Sequence, residues 1–317
     1  MTLPIFIDID KFSYDVDTLL TDIRFAINPG EHVSILGESG SGKTTLLHLI
    51  YGLLHLENGN IKYGDKRVPG PRDKLIPGAP YMKLVAQESD LMPYSTVEEN
   101  IASHIPVSEF DAMAQRIQEV LEVVGLEEFK KTKVGVLSGG QKQRVALAKA
   151  LAHEPQVLLL DEAFSNLDAT RKNRLRRRLF EYLKNKKISV ISATHDSDEA
   201  LAFSDKILML AQGTLLKYDT PEAIYYGAKS YSEAQMFGDV SLLPEWLFGK
   251  ESDKLVPVYA HRLKQSIKPT ELKVTVKNNY FVGSHYLIKA GWHQHDILFW
   301  NDQQITEGTE VYLSLIP

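Results

Sequence analysis

The sequence predicts an α/β fold up to about residue 238, followed by a small all-β domain. In the first part, short apolar strands alternate with amphipathic helices, which is typical of a parallel sheet with helical crossover connections. After Gly238 the pattern changes to short segments of period-2 alternation, such as LKVTVK and DILFW. A length of 317 residues fits two domains. We therefore expect a large domain over 1–238 and a small β-barrel domain over 239–317.

The composition is that of an ordinary globular protein, with 44% hydrophobic and 24% charged residues. A net charge of −5 gives no electrostatic reason to expect a nucleic-acid partner. The chain has no cysteine, which excludes disulfides and thiolate-bound zinc and fits a reducing compartment. The first residues become acidic too early for a signal peptide, and no apolar run approaches the roughly 20 residues that span a bilayer. The sequence therefore predicts a protein that does not cross a membrane by itself.

The elements of the first part follow from periodicity and turn residues. Predicted strands are LPIFIDI, TLLTDIRFAIN, HVSIL, GNIKYG, APYMKLVAQ, QVLLLD and ISVISAT. A helix, TTLLHLIYGLL, follows HVSIL after a glycine-rich segment, and another, ATRKNRLRRRLFEYLKN, follows QVLLLD. From Thr96 to about Gly125 the period is helical, and this stretch interrupts the strand–helix alternation. We expect it to belong to a helical subdomain over about 88–150.

Residues 37–44 read GESGSGKT and lie between a predicted strand and a predicted helix. They fit G-x-x-x-x-G-K-[ST], and a strand-to-helix junction is the context expected of a phosphate-binding loop. Its glycines let backbone N–H groups curve around a β-phosphate. Lys43 would bridge the β- and γ-phosphates, and the Thr44 hydroxyl would ligate Mg²⁺. The predicted nucleotide contacts of this region are Gly37, Glu38, Ser39, Gly40, Ser41, Gly42, Lys43, Thr44 and Thr45.

The sequence VLLLDE supplies acidic residues to the same kind of site. The apolar strand delivers Asp161 to its carboxyl end, where α/β sheets bind ligands. Asp161 would hold Mg²⁺, and Glu162 would act as general base toward the γ-phosphate. Two acidic residues after a strand, taken alone, form a solvated turn about as often as a functional site. The presence of the phosphate loop in the same chain favours the metal site.

A second anion site is predicted at the start of the helix that follows VLSGGQKQR. Glycine inside a helix costs roughly 1 kcal/mol relative to alanine. At a helix entrance, however, Ser138, Gly139, Gly140 and Gln141 offer a hydroxyl and bare backbone N–H groups at the positive end of the helix dipole. The chain thus carries two phosphate-type sites about one hundred residues apart.

Together these motifs resemble the ATP-binding subunit of an ABC transporter, through about residue 240. LSGGQ, residues 137–141, is the signature of that family, and SNLD, residues 165–168, matches its D-loop. Gln87 matches the Q-loop glutamine, and His195 in SATHD matches the switch histidine that contacts the γ-phosphate. Tyr14 lies where the family places an aromatic ring against adenine, with Phe12 as a nearby alternative.

The resemblance implies an ATPase with ATP and Mg²⁺ bound. The implied catalytic residues are Glu162, His195, Lys43 and Gln87, and the implied Mg²⁺ ligands are Thr44, Gln87 and Asp161. In this family the SGGQ segment of one subunit covers the ATP of the other, so the resemblance implies a head-to-tail homodimer. It also implies membrane permease subunits, docked through the helical region at LMPYSTVEENI, a substrate-binding protein as an indirect partner, and a peripheral position at the cytoplasmic face of the cell membrane.

The region after His195 resembles importer ATPases for polyamines, ferric iron, molybdate, sulfate and sugars, whose C-terminal extension is a small OB-type, TOBE-like domain. An extension of roughly 75 residues is too short for the longer sugar-importer version, so the resemblance favours the ion or polyamine importers. The fold class implied is a P-loop NTPase core with antiparallel β and helical subdomains, followed by an OB-like domain. One departure is the stretch VYAHRLKQS, where relatives usually have an Arg-Pro-Glu-like segment. Two alternatives stay open: a soluble ABC ATPase without a permease, and an exporter-type ATPase.

Residues 171–178 read RKNRLRRR, six cations in eight positions on a predicted helix. A nucleic-acid surface would need a wider basic area. We therefore expect this run to be a solvated helix face.

Overall fold

The computed structural model describes residues 2–14, 17–86, 90–103, 110–165, 167 and 169–316. Their contacts divide the chain into two compact units, Met1–Pro221 and Glu222–Pro317.

A single large sheet organises the first unit. Its strands, within the described residues, are β1 Ile5–Tyr14, β2 Asp17–Ile27, β3 His32–Leu36, β4 Asn58–Tyr63, β5 Lys66–Arg67, β6 Met82–Val85, β7 Val157–Asp161, β8 Ser189–Thr194, β9 Lys206–Ala211 and β10 Thr214–Asp219. Their order across the sheet is β5-β4-β1-β2-β10-β9-β3-β8-β7-β6. The β9-β3-β8-β7-β6 half is parallel. The β5-β4-β1-β2 half is antiparallel, as predicted for an antiparallel β subdomain.

Helices cover both faces of the parallel half. They are α1 Lys43–Tyr51, α2 Val97–Ala102, α3 Phe110–Val124, α4 Gly139–Ala152, α5 Ala169–Asn185 and α6 Ser197–Phe203. Because strands buried on both faces need apolar side chains in both directions, β3, β7 and β8 are short and almost wholly buried along their length. One hydrophobic cluster packs α1 against the β1–β2 side, and a second joins α2–α5 to the opposite face. The carboxyl ends of β3, β7 and β8 therefore meet at one edge, where the predicted site residues lie.

The second unit is mainly antiparallel β-structure. Its elements are α7 Pro221–Tyr226, α8 Tyr231–Gln235, β11 Val240–Pro244, β12 Leu255–Tyr259, β13 Leu263–Ser266, β14 Lys273–Phe281, β15 Tyr286–Trp292, β16 His295–Asn301 and β17 Glu310–Leu315. Strands β11 and β12 form a pair, and the others form a sheet in the order β13-β17-β14-β15-β16. Alternate residues such as Ile288 and Phe299 fill its core. This architecture is compatible with the predicted OB-like domain.

The division between the units lies after Pro221, the first residue of α7, and is therefore earlier than the change of sequence pattern after Gly238. Packing explains the difference. The Tyr225 ring stacks on Tyr259 with centroids 4.2 Å apart, and the Tyr259 hydroxyl donates to the Tyr225 carbonyl at 3.2 Å. Ala234 of α8 is also fully buried. The assignment of 1–238 and 239–317 as functional domains stays a prediction.

No helix within the described ranges combines the length and the apolar character that crossing a bilayer requires.

Candidate functional site

The glycine-rich segment 37–42 connects β3 to α1. A Cβ on Gly37 would lie 2.2 Å from the Leu210 carbonyl oxygen of β9, so only glycine fits there. Gly40 and Gly42 have φ of 81° and 102°, a backbone region that favours glycine. On the outer side nothing lies within 4 Å of where a Cβ on Gly40 would be. The loop is thus closely packed against the sheet and open outward, as a phosphate-binding loop must be.

Lys43 is buried at the start of α1, and its amine lies across this loop. The Nζ atom donates to the carbonyls of Gly37 at 2.9 Å and Glu38 at 2.8 Å. Burial lowers the pKa of Lys43, while the carboxylates of Glu162 and Asp161 act in the opposite direction. The Ser41 hydroxyl is buried and makes no hydrogen bond to any part of the chain that the structure describes. A bound phosphate would supply a negative charge beside the Lys43 amine and a hydrogen-bond acceptor for the Ser41 hydroxyl.

Thr44 connects this loop to β7. Its hydroxyl donates to Asp161 Oδ1 at 3.1 Å, and Asp161 is buried at the end of the strand. Burial raises the pKa of Asp161, and the hydrogen bond from Thr44 partly offsets this. A hydroxyl and a buried carboxylate are ligands that Mg²⁺ prefers. These residues therefore fit the predicted metal site, while Gln87, its third predicted ligand, lies outside the described residues.

Glu162 and His195 come together at the ends of β7 and β8. His195 Nδ1 lies 3.3 Å from Glu162 Oε1. Glu162 has a φ of 47°, which costs a non-glycine residue about 1 kcal/mol. Its N–H donates to the Ala193 carbonyl at 3.1 Å, so β8 holds the strained backbone in place. The sequence predicted both residues, but not the backbone conformation that turns Glu162 toward His195.

Gln143 was missed by sequence reasoning. It is a buried residue of α4, and its Nε2 donates to the Glu162 carbonyl at 3.2 Å. In the segment QKQRVALAKALA, Gln143 falls on the apolar face of the amphipathic helix. An amide side chain on that face was the signal available in the sequence. The contact ties the signature helix to the residue predicted as general base within the same chain.

Tyr14 ends β1 with 49% of its surface exposed, whereas Phe12 is buried. The two rings meet edge to face at 5.1 Å. Phe12 pairs across the sheet with Leu20, and Leu20 Cδ2 lies 2.7 Å from where a Cβ on Gly42 would be. Of the two aromatic candidates, Tyr14 is the one with a ring free to stack on a base, and its role stays a prediction.

The SGGQ segment begins α4 and is capped by its own side chains. The Ser138 hydroxyl accepts from the Gln141 N–H at 3.3 Å, and Gln141 Oε1 accepts from the Ser138 N–H at 2.8 Å. Nothing lies within 4 Å of where a Cβ on Gly139 would be. Across the described chain, no hydrogen bond joins 138–141 to 37–44. Of the D-loop, residues 166 and 168 lie outside the described residues.

The basic run 171–178 was predicted to be a solvated helix face, and for two of its members this is wrong. Arg176 is buried and pairs with Asp196 at 2.9 Å and with Glu199. Lys172 also pairs with Asp196, at 2.7 Å. Burial alone would raise the pKa of Asp196, but hydrogen bonds from Lys172 and Arg176 hold it well below its usual range.

Known proteins are similar to this chain in sequence and in fold. The model of the ABC transporter family matches residues 20–165. The Fe(3+) ions import ATP-binding protein FbpC of Haemophilus influenzae (strain 86-028NP) is 36% identical over 239 residues, which is 75% of this chain and 68% of that protein. The chain belongs to the ABC transporter family, as an ATP-binding protein. The spermidine/putrescine import ATP-binding protein PotA of Clostridioides difficile (strain 630) is 30% identical over 333 aligned residues, which cover 98% of this chain and 94% of that protein.

Among solved structures, cbiO1 of Clostridium perfringens, part of the ABC transporter complex cbiONQ, superimposes on this ABC protein with a TM-score of 0.63. It is 27% identical and covers 71% of this chain and 92% of that one. The predicted α/β P-loop fold is confirmed, as is the resemblance to importer ATPases. The chain is an ATPase whose hydrolysis of ATP is coupled to transport.

Proposed function

We propose that this ABC ATPase drives a membrane importer whose cargo is ferric iron or a polyamine. The observation that carries the proposal is the similarity to an Fe(3+) import protein and, along nearly the whole chain, to a spermidine/putrescine import protein. The second similarity extends through the β-rich second unit. The names of these two relatives favour an importer over a soluble ABC ATPase or an exporter. They also favour ferric iron or a polyamine over molybdate or sulfate as the cargo.

The chemistry we propose rests on the edge where β3, β7 and β8 end. ATP binds with its phosphates at Gly37–Thr45 and its adenine against Tyr14. Lys43 contacts the β- and γ-phosphates, and Glu162 accepts a proton from the attacking water while His195 contacts the γ-phosphate. Mg²⁺, held by Thr44, Asp161 and Gln87, would neutralise phosphate charge when bound. The buried, incompletely satisfied Lys43 and Ser41 support this assignment.

A second copy of the chain completes the site in this proposal. The first backbone N–H groups of a helix lack partners within it. At α4 these belong to Gly139 and Gly140, beside the exposed Ser138, and the space in front of Gly139 is open. They would bind the γ-phosphate held by a partner's loop, in a head-to-tail homodimer that ATP closes. Closure would then couple hydrolysis to movement.

An exposed apolar patch supports docking of permease subunits. Tyr94 is 88% exposed and Val136 is 78% exposed, and Met92 lies in the same predicted contact segment. The Gly135 N–H donates to the Pro93 carbonyl at 2.7 Å, which brings the two segments together. Large exposed apolar side chains gathered in one place mark interaction surfaces. We infer that the protein lies peripherally at the cytoplasmic face of the membrane, with a substrate-binding protein as an indirect partner.

Uptake in a deletion strain tests the proposal. Labelled ferric iron and labelled spermidine are each supplied to the deletion strain, complemented with wild type or with Glu162→Gln. Uptake of one cargo should require the wild-type gene and fail with the variant. Tyr94→Glu should abolish uptake and co-purification with permease subunits, yet leave nucleotide binding intact. Unchanged uptake of both cargoes, with a protein that purifies without a permease, would overturn the proposal.

A further inference from the structure

Arg176 contacts the segment that carries His195. Its Nη2 donates to Asp196 Oδ2 at 2.9 Å and also to Glu199. Asp196 directly follows His195 and is the N-cap of α6, since its Oδ1 accepts the Glu199 N–H at 3.1 Å. Both oxygens of Asp196 are therefore engaged. The backbone next to His195 cannot shift without breaking one of these bonds.

The same guanidinium also contacts the segment that carries Glu162. Its central carbon lies 5.2 Å from the centroid of the Phe164 ring, a cation–π distance. Phe164 lies two residues after Glu162 and is fully buried. Arg176 is thus placed between the two chain segments that carry the proposed general base and the proposed γ-phosphate contact.

The burial of this cluster indicates that it fixes the positions of the segments it contacts more than it stabilises the fold. The side chains of Arg176 and Glu199 are 3% and 4% exposed, and Lys172 and Asp196 complete a group of two cations and two acids. Desolvation of buried ion pairs largely cancels their attraction, so apolar replacements are often equally stable. What an apolar replacement would lose is the Nη2 group that donates to both Asp196 and Glu199.

We propose that Arg176 is a positioning residue that sets His195 against Glu162 by holding Asp196 on one side and Phe164 on the other. This inference rests on the catalytic roles proposed above for Glu162 and His195. Those two side chains are 3.3 Å apart, where a displacement of about 1 Å costs an enzyme up to roughly 100-fold in rate.

The test removes the positive charge of Arg176 without leaving a buried negative charge unpaired. Arg176→Met alone would bury an unpaired Glu199, so Arg176→Met is combined with Glu199→Gln. We expect this double variant to melt near the wild-type temperature, to keep KM for ATP within about twofold, and to lose at least about tenfold in kcat. Arg177→Met, an exposed position on the same helix, is the matched control and should leave kcat unchanged.

A second comparison shows whether the effect passes through His195. In a His195→Ala background the same double substitution should change kcat by less than about twofold, because the partner that it positions is gone. Equal losses in both backgrounds, or a folded double variant with wild-type kcat, would overturn the inference. If the double variant does not fold, Arg176→Lys in both backgrounds decides the question in the same way. A normal kcat for His195→Ala alone would instead contradict the proposed role of His195.

Discussion

The Thr44 hydroxyl donates to the Asp161 carboxylate at 3.1 Å, although 117 positions separate them in the chain. This bond joins the phosphate loop at the end of β3 to the acidic residue at the end of β7. The two motifs become one site because β3 and β7 both run parallel to β8, which lies between them. A hydroxyl and a carboxylate therefore face the same point at the edge of the sheet.

Thr44→Val should raise the Mg²⁺ concentration that gives half-maximal ATPase activity by at least about tenfold, because it removes one of the few oxygen ligands. The loss of one hydrogen bond should lower the free energy of unfolding by only about 1 kcal/mol. Magnesium titrations at fixed ATP measure the first effect, and denaturant unfolding measures the second. Thr44→Ser keeps the hydroxyl and should behave as wild type; an unchanged magnesium requirement in Thr44→Val would count against the ligand assignment.

Glu162→Gln should lower kcat by roughly 100-fold or more, since general base catalysis contributes about that much. The amide keeps the shape of the side chain, so ATP binding should persist and the ATP-bound dimer should accumulate. Gel filtration with saturating ATP and Mg²⁺ checks this by a shift to twice the mass. A variant that stays monomeric there would contradict the role of Glu162 in a closed dimer.

Ser138 has a local function as helix cap and a proposed function toward the partner's nucleotide, and two substitutions separate them. Ser138→Ala removes the cap and should cost about 1 kcal/mol of stability. Ser138→Asp keeps a good cap but presents a negative charge to the γ-phosphate, so kcat should fall at least about tenfold with little change in melting temperature. Nucleotide affinity of the monomer should be unchanged in both. If Ser138→Asp retains wild-type kcat, the segment does not face a phosphate.

Gly37 and Gly139 should respond to alanine in opposite ways. Gly37→Ala places a Cβ 2.2 Å from a carbonyl oxygen, so we expect loss of the folded unit or a large drop in melting temperature. At Gly139 the space is open and the residue is in the first turn of α4, so alanine should leave stability unchanged or slightly raised. Because the partner's phosphate would need that space, kcat of Gly139→Ala should nevertheless fall. Normal turnover in Gly139→Ala would argue against close approach of a nucleotide.

His32 should make the first unit sensitive to acid. Burial lowers the pKa of His32 from 6.5 to about 4, against a smaller opposing effect of its hydrogen bond to the Phe203 carbonyl at 2.6 Å. Between these values the unfolded chain binds a proton that the folded chain does not, so stability falls as pH falls through this window. The loss amounts to roughly 3 kcal/mol at pH 4.

Replacing His32 by glutamine should flatten this dependence while lowering stability at neutral pH. Urea midpoints at pH 7 and pH 4.5, followed by the helical circular-dichroism signal, measure the slope; this signal comes mostly from α1–α6 of the first unit. His55→Gln in the same unit is the control and should keep the wild-type slope. An equal slope in His32→Gln would show that another group causes the acid sensitivity.

Local patterns in the chain were enough to predict the fold class, and they placed the candidate phosphate- and metal-binding residues at strand ends. Motifs such as GESGSGKT and VLLLDE place their functional groups at strand ends. The spacing of each motif fixes its local geometry, because glycines occur where the backbone must turn and an apolar strand precedes the acidic residues. Periodicity distinguished the helices from the strands for the same local reason, and the period-2 segments after Gly238 correctly predicted a β-rich second unit.

Contacts between side chains of elements that are distant in the chain follow from the folded structure and not from the local sequence. The six cations of residues 171–178 look alike in sequence, and packing of α5 on α6 buries Arg176 while leaving Arg177 exposed. Gln143 likewise reaches the Glu162 carbonyl only because α4 and β7 contribute to the same hydrophobic cluster. The division after Pro221 places Tyr225 of α7 in the second unit, where its ring stacks on Tyr259. Desolvation and long-range contact produce these features, and both depend on the folded neighbours of a residue rather than on the residues beside it in the chain.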